Sequence, residues 1–93
     1  MADPSFEWDA IKDIANHAKH GVTFVTAQRA FLDPARIVAE DLAHSVREHR
    51  YFCFGKVDSK ILTVRFTWRA GRIRIIGAGY WRKGKAAYEA KNG

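Results

Sequence analysis

The most constraining feature of this chain is the strict alternation of apolar and polar residues over residues 61–69. Successive side chains of a β-strand point to opposite faces, so this alternation predicts a half-buried strand. Its apolar face comprises Leu62, Val64, Phe66 and Trp68, and its polar face comprises Thr63, Arg65, Thr67 and Arg69. An Ala70-Gly71 turn then leads into a second strand at residues 72–78, where Arg72 and Arg74 again share one face. Arginines from two neighbouring strands are therefore expected on one side of a sheet.

Two more strands are predicted before this hairpin. Residues 50–57 are rich in aromatic side chains, and a short connection at residues 58–60 joins them to the alternating strand. Residues 36–40 have the pattern of a first strand, which a polar stretch through His49 follows. The predicted sheet has four strands, of which the last three form an antiparallel meander.

The N-terminal third has the spacing of helices. Asp9 is a suitable N-cap and Gly21 a suitable end for a first helix. The apolar residues that recur on one face of this helix are Ile11, Ile14, Ala15 and Ala18. A second helix is predicted from about Thr23 to the Asp33-Pro34 turn, and a short C-terminal helix at residues 83–91. We therefore predict an α+β fold, in which an N-terminal helical hairpin packs on a four-stranded, mainly antiparallel sheet.

The length of the chain, 93 residues, is suited to one domain, which we assign to residues 6–93. Residues 1–5 are interpreted as a flexible end or a remnant of expression. No apolar run approaches the roughly 20 residues of a membrane span, and no signal-peptide pattern follows Met1, so we expect a cytoplasmic protein. The only cysteine, Cys53, lies between two phenylalanines in a strand and is expected to be a small buried residue.

The positive charge of the chain is confined to its C-terminal part. The formal net charge is +6. Residues 1–64 contain eight Lys or Arg against nine Asp or Glu, whereas residues 65–93 contain eight Lys or Arg against Glu89 alone. Such a one-sided block favours a polyanion or an acidic protein as partner. RNA, DNA and an acidic protein all remain possible at this point.

The four arginines of the last two strands are candidates for phosphate binding. The planar guanidinium group offers paired donors and stays charged at physiological pH. Adjacent strands lie about 4.8 Å apart, so Arg65 and Arg74 could hold one phosphodiester together, with Arg69 and Arg72 binding RNA beside them. The alternative is an ordinary solvated sheet face, on which basic residues discourage edge pairing.

A second basic segment follows the last strand. Tyr80, Trp81, Arg82 and Lys83 combine aromatic rings, which stack on bases, with cations, which bind the backbone of single-stranded RNA. The alternative is that Trp81 packs under the final helix.

If the polyanion is RNA, its cleavage without a metal requires groups that transfer protons. Lys19 and His20 at the end of the first helix are candidates, although either could simply be a cation at a helix C-terminus. Glu40 at the end of the first strand could act as a base or orient an arginine, and Asp41 and His44 follow it in a segment that could equally be a polar loop.

No metal or nucleotide cofactor is expected. His17 and His20 are three residues apart on a helix, but no cysteine or second histidine pair stands at the spacing of a zinc site. The glycines of residues 77–79 lack the strand-to-helix context of a nucleotide-binding loop.

The chain resembles the BrnT family, ribonuclease toxins of type II toxin–antitoxin modules. The residues that carry the resemblance are Phe6-Glu7-Trp8-Asp9, Asn16, Lys19-His20-Gly21, Phe24, Ala27, Phe31, Asp33-Pro34, Glu40-Asp41, His44, Glu48, Arg50, Gly55, Leu62, Thr67, Arg69, Arg72 and Arg74-Ile75-Ile76. The resemblance implies a fold similar to the RelE-like toxins and metal-independent RNA cleavage that halts translation. It also implies neutralisation by a BrnA-type antitoxin, whose ribbon-helix-helix region would provide the only contact with DNA.

Two positions depart from the family pattern. Many members carry serine and arginine where this chain has Gly77 and Gly79. We therefore expect Arg65, Arg82 or Lys83 to supply the missing charge. The rival interpretations are a nucleic-acid-binding module without catalysis and a toxin that inhibits a protein target.

Overall fold

The computed structural model describes residues 5–93. In chain order, the elements are β1 (Phe6–Trp8), α1 (Ala10–His20), α2 (Phe24–Ala27), a 3₁₀ helix (Gln28–Leu32), β2 (Ile37–Glu40), a second 3₁₀ helix (Leu42–His44), β3 (Arg50–Val57), β4 (Lys60–Arg69), β5 (Arg72–Gly79) and α3 (Arg82–Asn92). Most of the predicted loose end, residues 1–4, lies outside the described residues. The carbonyl of Ser5 accepts a hydrogen bond from the amide of Ile73 at 3.0 Å.

The sheet has five strands in the order β1-β5-β4-β3-β2. Strands β2 to β5 pair antiparallel with their sequence neighbours, and β1 pairs parallel with β5. The predicted four-stranded sheet was therefore wrong, because Phe6–Trp8 adds a fifth strand before the first helix. Three residues are too few to show a strand's period, and their hydrogen-bonding partner lies at the far end of the chain.

The predicted N-terminal helical hairpin was also wrong. Helix α1 has the predicted ends, since the Asp9 carboxylate accepts hydrogen bonds from two amides of the first turn and Gly21 adopts a φ of 72°. The second helix is replaced by the four-residue helix α2 and a 3₁₀ helix. The strand β1 before α1 makes the opening of the chain a strand–helix unit.

Helix α1 packs through its polar side. Asn16 is buried, and its amide group donates to the carbonyls of Val22 at 2.9 Å and Ala78 at 3.0 Å and accepts from the Ala78 amide at 3.1 Å. Ile11 and Ile14, which the spacing predicted to face the core, are 77% and 71% exposed. Backbone groups of the adjoining strand and loop needed a polar partner, so the amide faces inward and the apolar stripe faces solvent.

The two faces of the sheet are covered differently. One face, which we call the helix side, is covered by α2 and the 3₁₀ helix Gln28–Leu32. It carries the main core, which consists of Val22, Phe24, Ala27, Ala30, Cys53, Val57, Leu62, Val64, Phe66, Ile73, Ile75 and Ala78. The other side is covered only in part, by α3, through a small cluster of Phe54, Ile61 and Tyr88. Helix α3 approaches closely because Gly84 has no side chain where Thr63 lies. No helix among residues 5–93 is long and apolar enough to cross a membrane.

Candidate nucleic-acid interface

Five arginines share the side of the sheet that α3 leaves partly open. Arg65 and Arg69 alternate with the buried residues of β4, and Arg69 lies opposite Arg72 on β5. Arg74 lies opposite Thr67, which on its other side lies opposite Arg50 of β3. Side chains of directly paired residues share a face. We call this surface, formed by Arg50, Arg65, Arg69, Arg72 and Arg74, the arginine face.

The register between β4 and β5 places Arg65 opposite Gly77, which has no side chain. The pairing shifts by one residue between Arg65 and Phe66, so Arg65 lies opposite Gly77. Arg65 and Arg74 are therefore diagonal neighbours, since Arg74 is opposite Thr67. Of the three residues expected to supply the missing charge, Arg65 lies opposite Gly77, whereas Gly79, where the family's arginine is absent, lies opposite Thr63.

Glu7 partly neutralises one edge of the arginine face. Its carboxylate accepts a hydrogen bond from Arg74 Nη1 at 2.9 Å and lies 3.6 Å from Arg72 Nε. The Arg74 side chain is 27% exposed and that of Arg72 is 51% exposed. These pairs therefore lie at the surface, where a phosphate could compete with the carboxylate.

Two other carboxylates lie at the opposite edge. Glu48 is 3.2 Å from Arg69 Nη2 and 3.8 Å from Arg50 Nη2. Asp41 Oδ2 is 3.7 Å from Arg65 Nη2. Across the whole surface, five guanidinium groups oppose three carboxylates, which leaves an excess of two positive charges.

Sequence reasoning did not include Arg50 in the site. Its side chain is about one-third exposed, and its Nε is buried without a hydrogen-bond partner among the described residues. The available signal was the period of β3, because Arg50 pairs with Thr67 between two of the predicted arginines. The exposed part of this guanidinium group could contact a further anionic partner.

The structure does not bring Glu40 to the arginine face. Glu40 pairs with Tyr51, whose ring stacks on the core residue Phe66, so Glu40 lies on the helix side of the sheet. There its carboxylate is 2.8 Å from His49 Nδ1. The next residue, Asp41, is the one that lies beside Arg65.

Asp41 also contacts a histidine. The Asp41 side chain is 6% exposed, and its Oδ2 lies 2.9 Å from His44 Nδ1. The imidazole is 55% exposed. An acid–base group, its carboxylate partner and an arginine are thus grouped at one edge of the arginine face.

Lys19 and His20 lie at the end of helix α1, which packs against β5. The His20 ring meets the edge of Trp81 with centroids 5.2 Å apart, and Lys19 is exposed. His20 therefore lies beside Trp81, whereas the histidine grouped with Arg65 through Asp41 is His44.

Most of the predicted RNA-binding segment after β5 lines a pocket beside α3. Tyr80, Trp81 and Arg82 line a cavity of about 660 Å³ between α3 and the β3–β4 turn, together with Lys60 and Lys85. Tyr80 is 44% exposed, and Lys60 Nζ lies 5.6 Å from its ring centroid. Lys83, the remaining member of the predicted set, is exposed on α3 and does not line this cavity.

The Trp81 ring is packed against the backbone. It occupies the place where a side chain at Gly79 would begin, with ring atoms 2.6 Å from that position. Together with the contact to His20, this makes Trp81 a half-buried residue of the pocket wall. Tyr80 is the more accessible of the two aromatic rings.

Cys53 is buried, as predicted, and its pKa is raised by burial to about 12. It is therefore a packing residue rather than a nucleophile. Within residues 5–93, no three histidine, cysteine, aspartate or glutamate side chains are grouped so that they could hold a metal ion.

A small basic α+β chain with five arginines on a partly open sheet face has the features of a nucleic-acid-binding protein. A sequence model of one family, described as the ribonuclease toxin BrnT of type II toxin–antitoxin systems, matches residues 8–84. The chain belongs to this family. No curated protein matched the chain in a sequence search.

Proposed function

We propose that this protein is a metal-independent endoribonuclease that cleaves RNA on the arginine face and thereby inhibits translation in the cytoplasm. The observation that carries the proposal is the excess of guanidinium groups on the open part of the sheet, in a chain of a ribonuclease toxin family. The RNA backbone is a polyanion, and guanidinium groups bind its phosphates through paired, charge-assisted hydrogen bonds.

Arg65 and Arg74 bind the scissile phosphate in this proposal. In-line attack by the 2′-hydroxyl places more negative charge on the phosphoryl oxygens, and fixed cations stabilise that charge. Arg65 has the central position, opposite Gly77, which has no side chain, and Arg74 is its diagonal neighbour. The expected products are a 2′,3′-cyclic phosphate and a free 5′-hydroxyl.

The remaining cations extend the binding surface. Arg69 and Arg72 bind neighbouring phosphates at the end of the β4–β5 hairpin, where both are about half exposed. Tyr80 offers a stacking surface for a base in the pocket beside α3, and Arg82 offers a backbone contact there.

A cleavage assay in excess chelator tests the proposal. Purified protein is incubated with RNA, and the new ends are identified by their sensitivity to phosphatase and kinase treatment. We expect cleavage with cyclic phosphate ends. RNA that stays intact at high protein concentration but binds in a strongly salt-dependent manner would instead identify a binding module. Growth arrest without RNA damage would identify a protein target.

As a toxin of a type II system, the protein has an antitoxin partner. We propose that this partner is of the BrnA type, with a ribbon-helix-helix region that alone contacts DNA. An apolar groove of about 640 Å³ on the helix side of the sheet suits a docking segment of this antitoxin. Its wall includes Leu32, Val38 and Trp68, which are 74%, 53% and 52% exposed. Arg36 stands at the same groove, so a segment with apolar and acidic residues matches its chemistry.

Calorimetry with the antitoxin tests this docking surface. Leu32→Asp places a carboxylate in the groove and should weaken the complex at least tenfold. Ile11→Asp makes the same kind of change on the exposed stripe of α1 and should leave the affinity unchanged. Equal affinities for the two variants would exclude the groove.

A further inference from the structure

We propose that His44 is the general base of the reaction and that Asp41 is its positioning residue. The inference rests on the proposed ribonuclease function and names the proton-transfer group of that site. It replaces Glu40, which the structure places on the other side of the sheet, and Lys19 and His20, which end α1 beside Trp81, whereas the carboxylate at Arg65 is that of Asp41.

The local geometry orients the imidazole. Asp41 and His44 are three residues apart across the 3₁₀ turn Leu42–His44, so the ring folds back onto the carboxylate. The carboxylate is almost fully buried, whereas the ring is 55% exposed. A carboxylate accepts hydrogen bonds, so Nδ1 carries the proton and Nε2 presents its lone pair to solvent.

The loop that carries this pair is fastened to the sheet. The Asp41 amide donates to the Arg50 carbonyl at 2.7 Å, and the Arg50 amide donates to Ser45 Oγ at 2.9 Å. Further along, the buried Thr67 hydroxyl donates to the His49 carbonyl at 2.6 Å. These bonds close the segment between β2 and β3 and fix the position of His44 relative to the arginine face.

One oxygen atom links the base to the phosphate-binding group. Asp41 Oδ2 contacts both His44 Nδ1, at 2.9 Å, and Arg65 Nη2, at 3.7 Å. The imidazole and the guanidinium group are therefore adjacent. A nucleotide whose phosphate rests on Arg65 brings its ribose within reach of His44.

The chemistry is a single displacement. Nε2 of His44 takes the proton of the 2′-hydroxyl, the O2′–P bond forms, and the P–O5′ bond breaks. The departing 5′-oxygen takes a proton from water, and the imidazolium returns its proton to solvent. The negative charge of Asp41 stabilises the imidazolium while it exists.

Other charged groups surround His44. Asp41 contacts the ring, and Arg65 contacts Asp41. The charged residues that line the same shallow groove as His44 are Arg47, Glu48, Arg50 and Arg69. The arginines outnumber the carboxylates around this groove.

His49 provides a control for substitution of His44. His49 contacts Glu40 at 2.8 Å in a pair of the same type, but on the helix side of the sheet. His49→Ala therefore removes an equivalent exposed histidine without touching the proposed site.

The test measures single-turnover RNA cleavage in chelator against pH. His44→Ala should lower the rate by about 10²- to 10⁴-fold, while the Kd for an RNA with 2′-deoxyribose at the cleavage site stays unchanged. The wild-type rate should rise with pH and level off, and this rise should vanish in the variant. Added imidazole should restore part of the activity. His49→Ala should behave as wild type.

Asp41→Asn tests the positioning role. It should slow cleavage about tenfold or more and move the rise in rate to lower pH, because the imidazolium loses its anionic neighbour. A purely structural role would lower the folded fraction without moving the profile. Cleavage by the wild type with full activity in His44→Ala would overturn this inference alone, whereas RNA left intact by the wild type would overturn the proposed function itself.

Discussion

Glu7 lies directly opposite Arg74 on the parallel strand pair β1–β5, and its carboxylate accepts a hydrogen bond from Arg74 Nη1 at 2.9 Å. The short first strand therefore brings a competing anion to the arginine face. Since the pair is only partly buried, an RNA phosphate has to displace this carboxylate before it can bind Arg74 fully.

Glu7→Gln should therefore strengthen RNA binding at low salt. We expect a Kd that is about three- to tenfold lower, because releasing a partly exposed ion pair is worth about 1 kcal/mol. Glu40→Gln removes the same charge on the other side of the sheet and should have a smaller effect. The measurement is fluorescence anisotropy with a 2′-O-methyl RNA. Weaker binding by Glu7→Gln would show that Glu7 instead holds the Arg74 side chain in the orientation that binds RNA.

Asn16→Ala should destabilise the fold severely. The substitution leaves the carbonyls of Val22 and Ala78 and the Ala78 amide without their side-chain partner. We expect a loss of about 2–4 kcal/mol in the free energy of unfolding, measured by denaturant titration. Ile14→Ala on the same helix should change it by less than about 0.5 kcal/mol. The reverse order would mean that the apolar stripe, and not Asn16, anchors α1.

Helix α1 shows what the sequence can and cannot predict. Its ends could be predicted from Asp9 and Gly21, because capping is decided by local geometry. Its orientation could not, because the spacing of Ile11 and Ile14 contains no information about the distant Ala78 backbone that Asn16 satisfies. Only the assembled sheet reveals which face of the helix has a partner.

The same limit applies to the site. Alternation along β4 placed Arg65 and Arg69 correctly on one face, since the strand period is a local property. Glu40 and Asp41 could not be distinguished, because one residue at the end of β2 decides the side of the sheet. The pairing of Arg65 with Gly77 depends on a register shift between β4 and β5 that the sequence pattern did not predict.

Gly77 and Gly79 should respond differently to substitution. A Cβ at Gly77 would meet its nearest neighbour, Asn16 Oδ1, at 3.7 Å, which is an ordinary contact. At Gly79 it would meet the Trp81 ring at 2.6 Å. We expect Gly77→Ala to stay within about 1 kcal/mol of wild type and Gly79→Ala to lose about 1–3 kcal/mol in thermal unfolding. Equal stabilities would mean that the ring of Trp81 moves aside freely.

Asp33 should make the fold sensitive to acid. Burial alone would raise the pKa of this carboxyl, but hydrogen bonds from the Tyr88 hydroxyl at 2.6 Å and the amides of Lys56 and Ala35 outweigh burial and lower it. A lowered pKa in the folded state means that the unfolded chain takes up the proton first as pH falls. The stability that Asp33 contributes is therefore complete above the pKa of the unfolded chain and is lost as pH falls through the folded pKa.

Asp33→Asn should accordingly flatten the decline of unfolding free energy as pH falls below about 4, the pKa of an unperturbed aspartate. Asp9→Asn keeps a good helix cap and should leave the decline as in wild type. The measurement is denaturant unfolding at a series of pH values. A decline of the same slope in Asp33→Asn would assign the acid sensitivity to other carboxylates.

The sharpest test of the proposed ribonuclease site compares two arginines in one cleavage assay without metal. Wild type, Arg65→Ala and Arg36→Ala are each incubated with RNA in excess chelator under single-turnover conditions. Arg36 is an exposed arginine at the apolar groove, away from the arginine face, and serves as the matched control. We predict equal rates for wild type and Arg36→Ala and a rate about 10²- to 10³-fold lower for Arg65→Ala, with all three proteins folded. Intact RNA with wild type, or equal cleavage by Arg65→Ala, would contradict cleavage on the arginine face.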